Sequence, residues 1–200
     1  MKKGSLRRLT MAALCGAVAF VLMFFSFSVP VISPFAEFDF SALPELIGGF
    51  ILGPIGAVEI IVVKIGLKLL FKGSSSLMTG ELMNLILSLA YVLPALWYYR
   101  RHRTKRGAVI GLALGTVISV VVSIFTNVYV IFPLYIKLYG MNWDSIIEIC
   151  AAVNPWIKNI PTMVAFSVVP FNLLSRVVTS LITLLVYKKL SAPMKRFALA

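Results

Sequence analysis

The chain has 200 residues, of which 60% are apolar and only 13% charged, and its formal net charge is +12. Soluble domains are about 45–50% apolar and about 25% charged, so this composition indicates an all-α integral membrane protein. The basic residues cluster at the ends of long apolar runs, as in cytoplasmic loops, which argues against nucleic-acid binding. We therefore expect a single membrane domain, 1–200, without a separate soluble domain.

The apolar runs predict a bundle of six transmembrane helices with both termini in the cytoplasm. The first run is about one full span long and no A-x-A cleavage motif follows it, so it is interpreted as a retained helix that ends at Pro30 and Pro34. Residues 30–42 then form an outside loop, and residues 134–160 form a longer one. The helices are expected at about residues 9–29, 43–53, 55–71, 80–99, 108–132 and 161–187.

The second apolar stretch, residues 42–71, is longer than the roughly 20 residues that one straight span needs. It can form one kinked helix, or two short helices that turn at Gly53-Pro54. One helix would leave the basic block at 100–106 outside the cell, whereas two helices place this block in the cytoplasm beside the N-terminus. Because loops rich in Lys and Arg stay inside, the sequence favours two short helices.

The segment 37–57 combines a charged start with a broken apolar run. It opens with Glu37, Phe38, Asp39 and Phe40 and continues through four glycines and two prolines. Glycine lets a backbone or a ligand approach closely, and a helix that faces lipid has no need of so many breaks. The segment therefore predicts a packed hairpin beneath a pocket that has an acidic and aromatic lid.

Charged and amide side chains within membrane spans are costly and mark candidate functional positions. Lys64 requires a partner, and Glu81 is the expected one, with ligand contact as the alternative. Asn84, Asn127 and Asn172 lie in the outer halves of three different helices. Each amide could bond the imide edge of a heterocycle or could hold helices together.

No sequence motif of an enzyme is present. The motifs H-E-x-x-H and G-x-S-x-G and the phosphate-binding Gly-Lys loop are absent, and the single histidine, His102, lies among arginines. Cys15 and Cys150 lack metal-ligand spacing and are interpreted as small apolar residues. The sequence predicts neither catalysis nor a metal nor a cofactor, and active uptake would require a partner that hydrolyses ATP.

The first helix carries small residues at a spacing of four. Ala13 and Ala17 form one such pair, and Ala12 and Gly16 form another. A face of this kind lets a second helix approach closely. That second helix could belong to the same bundle or to another subunit.

Taken together, the chain resembles the substrate-binding S components of energy-coupling factor (ECF) vitamin transporters, and within them the riboflavin-specific members. The similarity covers nearly the whole length. Its most specific parts are Asp39-Phe40-Ser41 followed by Leu43-Pro44, the run FILGPIG at 50–56, Gly80-Glu81-Leu82 with Asn84, Asn127 before Pro133-Leu134-Tyr135, and Pro170-Phe171-Asn172.

The resemblance implies a six-helix bundle in the bacterial plasma membrane that binds riboflavin near its outer face, beneath the loop between helices 1 and 2. Asn127 and Asn172 would bond the isoalloxazine ring, and Glu37, Phe38 and Asp39 would border it. Ala13 and Ala17 would dock on a transmembrane coupling subunit, which is driven by two ATPase subunits. Stacking on the flat ring is expected from Phe38, Phe40 and Tyr135.

The chain departs from the family pattern at one position. The family has a lysine three residues after the asparagine of Pro-Phe-Asn, whereas this chain has Ser175 there and Arg176 next to it. One residue corresponds to a rotation of about 100° around a helix, so Arg176 does not simply replace the lysine. Another vitamin, such as pantothenate, folate or a queuosine precursor, remains an alternative ligand, and a structural subunit without a ligand is the alternative of a different class.

Overall fold

The computed structural model describes residues 3–29, 32–74 and 76–199, with backbone alone at 3–5, 33, 188 and 190–199. Helices dominate this part of the chain, and one short β-hairpin interrupts them. In chain order the elements are α1 (Lys3–Phe24), β1 (Phe27–Val29), β2 (Ser33–Phe38), α2 (Ala42–Leu52), α3 (Pro54–Phe71), α4 (Thr79–Arg101), α5 (Lys105–Thr126), α6 (Phe132–Tyr139), α7 (Trp143–Ala151), α8 (Ile160–Met163) and α9 (Val169–Leu199).

Four helical stretches among the described residues are long and apolar enough to cross a membrane: Leu6–Phe24, Thr79–Arg101, Lys105–Tyr139 and Ile160–Tyr187. The α2 helix is apolar but has only 11 residues. The α3 helix has 18 residues, and its interior holds charged side chains.

The α2 and α3 helices form a helical hairpin. Gly53 adopts φ +87° between them, and Pro54 opens α3. A positive φ favours glycine. A proline at the start of a helix costs no hydrogen bond, because an N–H at that position has no intrahelical partner. Arg8 of α1 donates to the carbonyl oxygen of Leu52 over 3.1 Å, which fixes the N-terminal end of α1 to this turn.

The first helix begins and ends earlier than predicted, and an ordered hairpin replaces part of the expected loop. The prediction extended the helix through 9–29, but α1 ends at Phe24 and β1 pairs antiparallel with β2, with Phe27 opposite Phe38. Phenylalanine, serine and valine fit a pleated strand, and pairing satisfies the backbone groups. Of the two residues expected to end the helix, Pro34 lies inside β2 and Pro30 lies outside the described residues.

The fifth predicted helix does not end at residue 132. After α5 the chain continues through a π-helical segment, Asn127–Ile131, and then through α6 to Tyr139. Pro133 lies in the first turn of α6, where its missing N–H is tolerated, so it does not stop the helix. The predicted outside segment 134–160 therefore begins inside a helix, and it also contains α7.

The last predicted helix shows the same construction. It begins with α8, passes through a second π-helical segment, Val164–Val168, and continues as α9 beyond the predicted end at residue 187. Each π-helical segment ends two residues before a proline, Pro133 in one case and Pro170 in the other. Because proline has no N–H, the regular hydrogen-bond ladder is disturbed there, and a π-helical turn absorbs the change.

Close backbone contact joins α4 to α5. A Cβ added at Gly111 would lie 2.6 Å from the carbonyl oxygen of Ala95. A Cβ at Gly66 on α3 would meet no atom within 4 Å.

This contrast gives a stability prediction. We expect Gly111→Ala to destabilise the protein by about 1–3 kcal/mol because the helices must separate, whereas Gly66→Ala should be neutral or slightly stabilising because alanine is the better helix former. The thermal midpoints of the two variants in detergent measure the difference. Equal midpoints for the two variants would contradict the close packing of α4 against α5.

Candidate functional site

A cavity of about 280 Å³ lies beneath the β-hairpin, between the hairpin, the start of α2 and the ends of the long helices. Its wall brings together eight of the ten residues that the sequence singles out for substrate binding. These eight are Glu37, Asp39, Asn84, Asn127, Tyr135, Asn172, Ser175 and Arg176.

The hairpin segment contributes Phe35, Ala36, Glu37 and Asp39 to the cavity wall. Phe38 instead packs against Phe27 and Phe40, with ring centroids 5.2 and 5.1 Å away. Neither Phe38 nor Phe40 lines the cavity, so the expected stacking role of these two rings is not what the structure shows. Phe38 is only 5% exposed, so its ring is buried between the rings of Phe27 and Phe40 within the hairpin region.

Phe35 is the aromatic residue of the described hairpin that reaches the cavity, and it is not among the residues predicted from the sequence. Its ring centroid lies 5.8 Å from that of Tyr135 and 6.2 Å from that of Phe132, and both of these residues also line the cavity. The signal in the sequence is that Phe35 lies two residues before Glu37 and four before Asp39. It becomes informative only when the segment is recognised as a strand.

Asn127 and Asn172 lie on neighbouring walls beside the two π-helical segments. The Nδ2 of Asn127 donates to the carbonyl oxygen of Ser123 over 2.8 Å, and the Nδ2 of Asn172 donates to the carbonyl oxygen of Val168 over 2.9 Å. A carbonyl oxygen only accepts, so the amide nitrogen must face it in both cases. Each side-chain oxygen is then left for a donor in the cavity.

Lys64 pairs with Glu45 and not with Glu81, which corrects the sequence-based assignment. Lys64 and Glu45 are both fully buried. Glu81 pairs instead with Lys68, one turn further along α3, over 2.6 Å. The packing of α2 against α3 places Glu45 closer to Lys64. The sequence does not reveal this pair, because Glu45 stands alone in an apolar run.

Lys64 also holds polar groups of the cavity wall. Its ammonium group donates to the Oδ1 of Asn84 over 2.6 Å and to the hydroxyls of Ser41 and Ser88 over 3.2 and 3.3 Å. All three acceptors line the cavity. The charge pair therefore lies directly behind the wall.

Arg176 forms part of the cavity wall as a flat, anchored cation. Its Nε donates to the hydroxyl of Ser119 over 3.2 Å, and its Cζ lies 4.9 Å from the ring centroid of Tyr91. The Tyr91 hydroxyl in turn lies 2.7 Å from the Ser180 hydroxyl. Within the described part of the chain no acceptor is bonded to the terminal nitrogens of Arg176, so they are available to a ligand.

The small residues of α1 fall on two faces. Ala12 and Gly16 are buried, and a Cβ at Gly16 would lie 2.6 Å from the side chain of Val63 on α3. Ala13 is exposed and Ala17 is half-buried. One pair therefore serves packing inside the bundle, and the other pair remains accessible to a second protein.

No group of three potential metal ligands gathers among the residues that the structure describes. Cys15 and Cys150 are free thiols and both are buried. Burial raises the pKa of the Cys150 thiol, which lies on α7 outside the spans, to about 11. This thiol is therefore protonated and poorly reactive at neutral pH.

Comparison with known proteins places this architecture in a family. The family model described as the substrate-specific component of ECF transporters matches residues 7–187. A protein named riboflavin transporter RibU from Staphylococcus aureus is 29% identical over 95% of this chain and 93% of its own length. RibU of Streptococcus thermophilus is 30% identical over 94% of this chain and 83% of its own length.

A solved structure described as the S component of a bacterial ECF transporter has the same fold. It superimposes with a TM-score of 0.74 and 27% identity, covering 96% of this chain and 99% of its own. The family model matches most of the sequence, and this confirms the resemblance inferred from the residues alone. The chain belongs to the substrate-specific components of ECF transporters.

Proposed function

We propose that this chain is the riboflavin-binding subunit of an ECF transporter in the bacterial plasma membrane. It captures riboflavin from outside and delivers it inward when it is docked on a coupling subunit that two ATPase subunits drive. The observation that carries the proposal is the cavity beneath the hairpin, where aromatic rings, three asparagines and an anchored arginine converge. The names of the similar transporters support the choice of riboflavin.

The proposed membrane arrangement has six helices and cytoplasmic termini. The α2–α3 hairpin occupies the place of two short helices, so that the turn at Gly53, the basic block at 100–106 and the start of α1 share the cytoplasmic side. The hydrogen bond from Arg8 to the end of α2 supports this arrangement. The β-hairpin then faces the outside and covers the cavity as a lid.

Hydrogen bonding in the cavity suits the isoalloxazine ring of a flavin. The imide edge of this ring has one N–H donor between two carbonyl acceptors. Asn127 and Asn172 offer side-chain oxygens to a donor, and the terminal nitrogens of Arg176 are free to meet an acceptor. Phe35 and Tyr135 provide aromatic surface for the flat ring.

Transport is tested with proteoliposomes that contain the chain alone or together with an ECF coupling subunit and its ATPases. We expect ATP-dependent accumulation of labelled riboflavin with the complete assembly. We expect none with the chain alone, because its sequence has no phosphate-binding Gly-Lys loop. Equal uptake by the chain alone would contradict the assignment as a subunit that depends on an ATPase module.

A second candidate ligand is a different vitamin. The observation that favours it is that Ser175 and Arg176 line the cavity where the family resemblance implies a lysine. A competition series with pantothenate, folate and a queuosine precursor against bound riboflavin separates these ligands. Displacement by one of them at lower concentration than unlabelled riboflavin would reassign the substrate. Failure of all four to bind would favour a structural subunit.

A further inference from the structure

We infer that the buried pair of Lys64 and Glu45 fixes the side-chain amide of Asn84 with its nitrogen toward the ligand. Asn84 thereby presents a hydrogen-bond donor to the cavity. Lys64 is thus a positioning residue, which acts through Asn84. The inference rests on the proposed function for the identity of the ligand, but the amide orientation itself follows from the contacts within the protein.

The orientation of Asn84 is determined by chemistry. An ammonium group can only donate, so the atom of Asn84 that lies 2.6 Å from the Nζ of Lys64 must be the oxygen Oδ1. The amide nitrogen is then directed away from Lys64. Among the described residues no acceptor is bonded to this nitrogen, and Asn84 lines the cavity.

Asn84 therefore differs from the other two cavity asparagines. The nitrogens of Asn127 and Asn172 are bound to backbone carbonyls, which leaves their oxygens as acceptors. Asn84 has its oxygen bound and its nitrogen free, so it acts as a donor. A ligand that fits must place an acceptor, such as a ring carbonyl or a ring nitrogen, against Asn84, and a donor against Asn127 or Asn172.

The charge pair is built so that this orientation is held firmly. Lys64 and Glu45 are each 0% exposed, and the ammonium group bridges α3 to α2 through Glu45 and Ser41 and to α4 through Asn84 and Ser88. Burying two charges costs free energy, and a pair of apolar side chains would often pack there without loss of stability. A positioning role explains why this wall contains a charge pair instead of apolar residues.

The hydrogen bond from Lys64 to the Ser41 hydroxyl also connects the charge pair to the β-hairpin that covers the cavity. Ser41 follows the hairpin, and its backbone N–H donates to the carboxylate of Asp39 over 2.7 Å. Lys64 thereby holds both a wall residue and the point at which the lid joins α2. Asp39 itself lines the cavity.

The first test probes the contact between Lys64 and Asn84, on which the orientation depends, without any ligand. Asn84→Asp keeps an acceptor for Lys64, whereas Asn84→Leu removes it. We expect the thermal midpoint of the ligand-free protein to be equal or higher for Asn84→Asp and clearly lower for Asn84→Leu, relative to the wild type. A midpoint for Asn84→Leu equal to that of the wild type would overturn the contact, whether or not the protein binds riboflavin.

The second test is a mutant cycle with riboflavin as the probe. Lys64→Met alone would leave the buried Glu45 unpaired and could unfold the protein, so it is combined with Glu45→Leu. We expect Asn84→Ala and the paired replacement each to weaken binding by about tenfold, the scale of one hydrogen bond. The two changes together should weaken binding no more than Asn84→Ala alone, because Lys64 acts through Asn84.

Two results of the cycle would overturn the inference. In one, the paired replacement binds riboflavin as the wild type does. In the other, it weakens binding by the same factor with and without Asn84→Ala. Thr183→Val is the control, since Thr183 is fully buried and bonds the carbonyl oxygen of Thr179 away from the cavity, and it should leave the affinity unchanged. The wild-type affinity tests the proposed function separately from these ratios.

Discussion

Replacing Asn172 with alanine is expected to weaken riboflavin binding by about 10- to 100-fold. Asn172 is only 7% exposed, and its oxygen is directed into the cavity because its nitrogen is bound to Val168. Removing that oxygen leaves a buried donor of the ligand without a partner, which costs about 1–3 kcal/mol. The affinity is measured by the quenching of flavin fluorescence on titration with the purified protein.

Asn142→Ala provides the matched control for this prediction. Asn142 caps α7, where its side chain accepts from the backbone N–H of Ser145 over 2.7 Å, and it does not line the cavity. Its loss should lower stability by about 1 kcal/mol and leave binding unchanged. If Asn172→Ala lowers stability but binds riboflavin with the wild-type affinity, the asparagine only holds the helix turn, and its proposed role in recognition is wrong.

Introducing leucine at both Ala13 and Ala17 is expected to reduce riboflavin uptake at least tenfold while leaving binding intact. These residues lie on the accessible face of α1, and small side chains at this spacing permit close helix contact with a coupling subunit. Larger side chains at these two positions hold the two proteins apart, whereas the residues of α1 that line the cavity, Phe20, Met23 and Phe24, lie further along the helix than both alanines. Uptake is measured with the complete assembly, and binding is measured with the isolated chain.

Val117→Leu serves as the control for the uptake experiment. Val117 lies on α5 and is 60% exposed, so a larger side chain there faces lipid and should change neither uptake nor binding. A leucine pair on α1 that transports at the wild-type rate would contradict docking through Ala13 and Ala17. Loss of both uptake and binding would show that the substitutions disturb the bundle itself.

Several functional features could be read from the sequence because they depend on local composition. The charge blocks and apolar runs identify a membrane protein, and the glycine and proline at 53–54 mark a turn. The asparagines of three helices stand out because amides are rare in lipid-exposed spans. Eight of the residues singled out from these patterns together with the family resemblance line one cavity.

The features that the sequence did not reveal depend on tertiary packing. The choice between Glu45 and Glu81 as the partner of Lys64 is decided by how α2 is rotated against α3, and spacing along one helix carries no information on this. The strand Phe27–Val29 follows the apolar run of α1 with only Ser26 and Ser28 as polar residues and no Gly or Pro between the two elements, so the sequence predicts the end of a helix there. Its pairing with β2 decides its structure, as tertiary context often does for short strands.

The prolines illustrate a second limit. Pro133 was interpreted as a helix end, but the π-helical segment before it lets the helix continue to Tyr139. A proline at a helix start and a proline after a helix end look alike in a sequence, because either position tolerates the missing N–H. The difference matters for the site, since Asn127 begins this π-helical segment and Tyr135 follows Pro133 on the extended helix.

The measurement that tests the central claim most directly is made on the isolated protein in mild detergent. We would record its visible spectrum as purified and then titrate riboflavin while following flavin fluorescence. The proposed function predicts stoichiometric quenching, with one riboflavin bound per chain, because the ring enters a cavity lined by Phe35 and Tyr135. A fluorescence signal that remains unquenched at micromolar riboflavin would contradict the assignment of this cavity to a flavin.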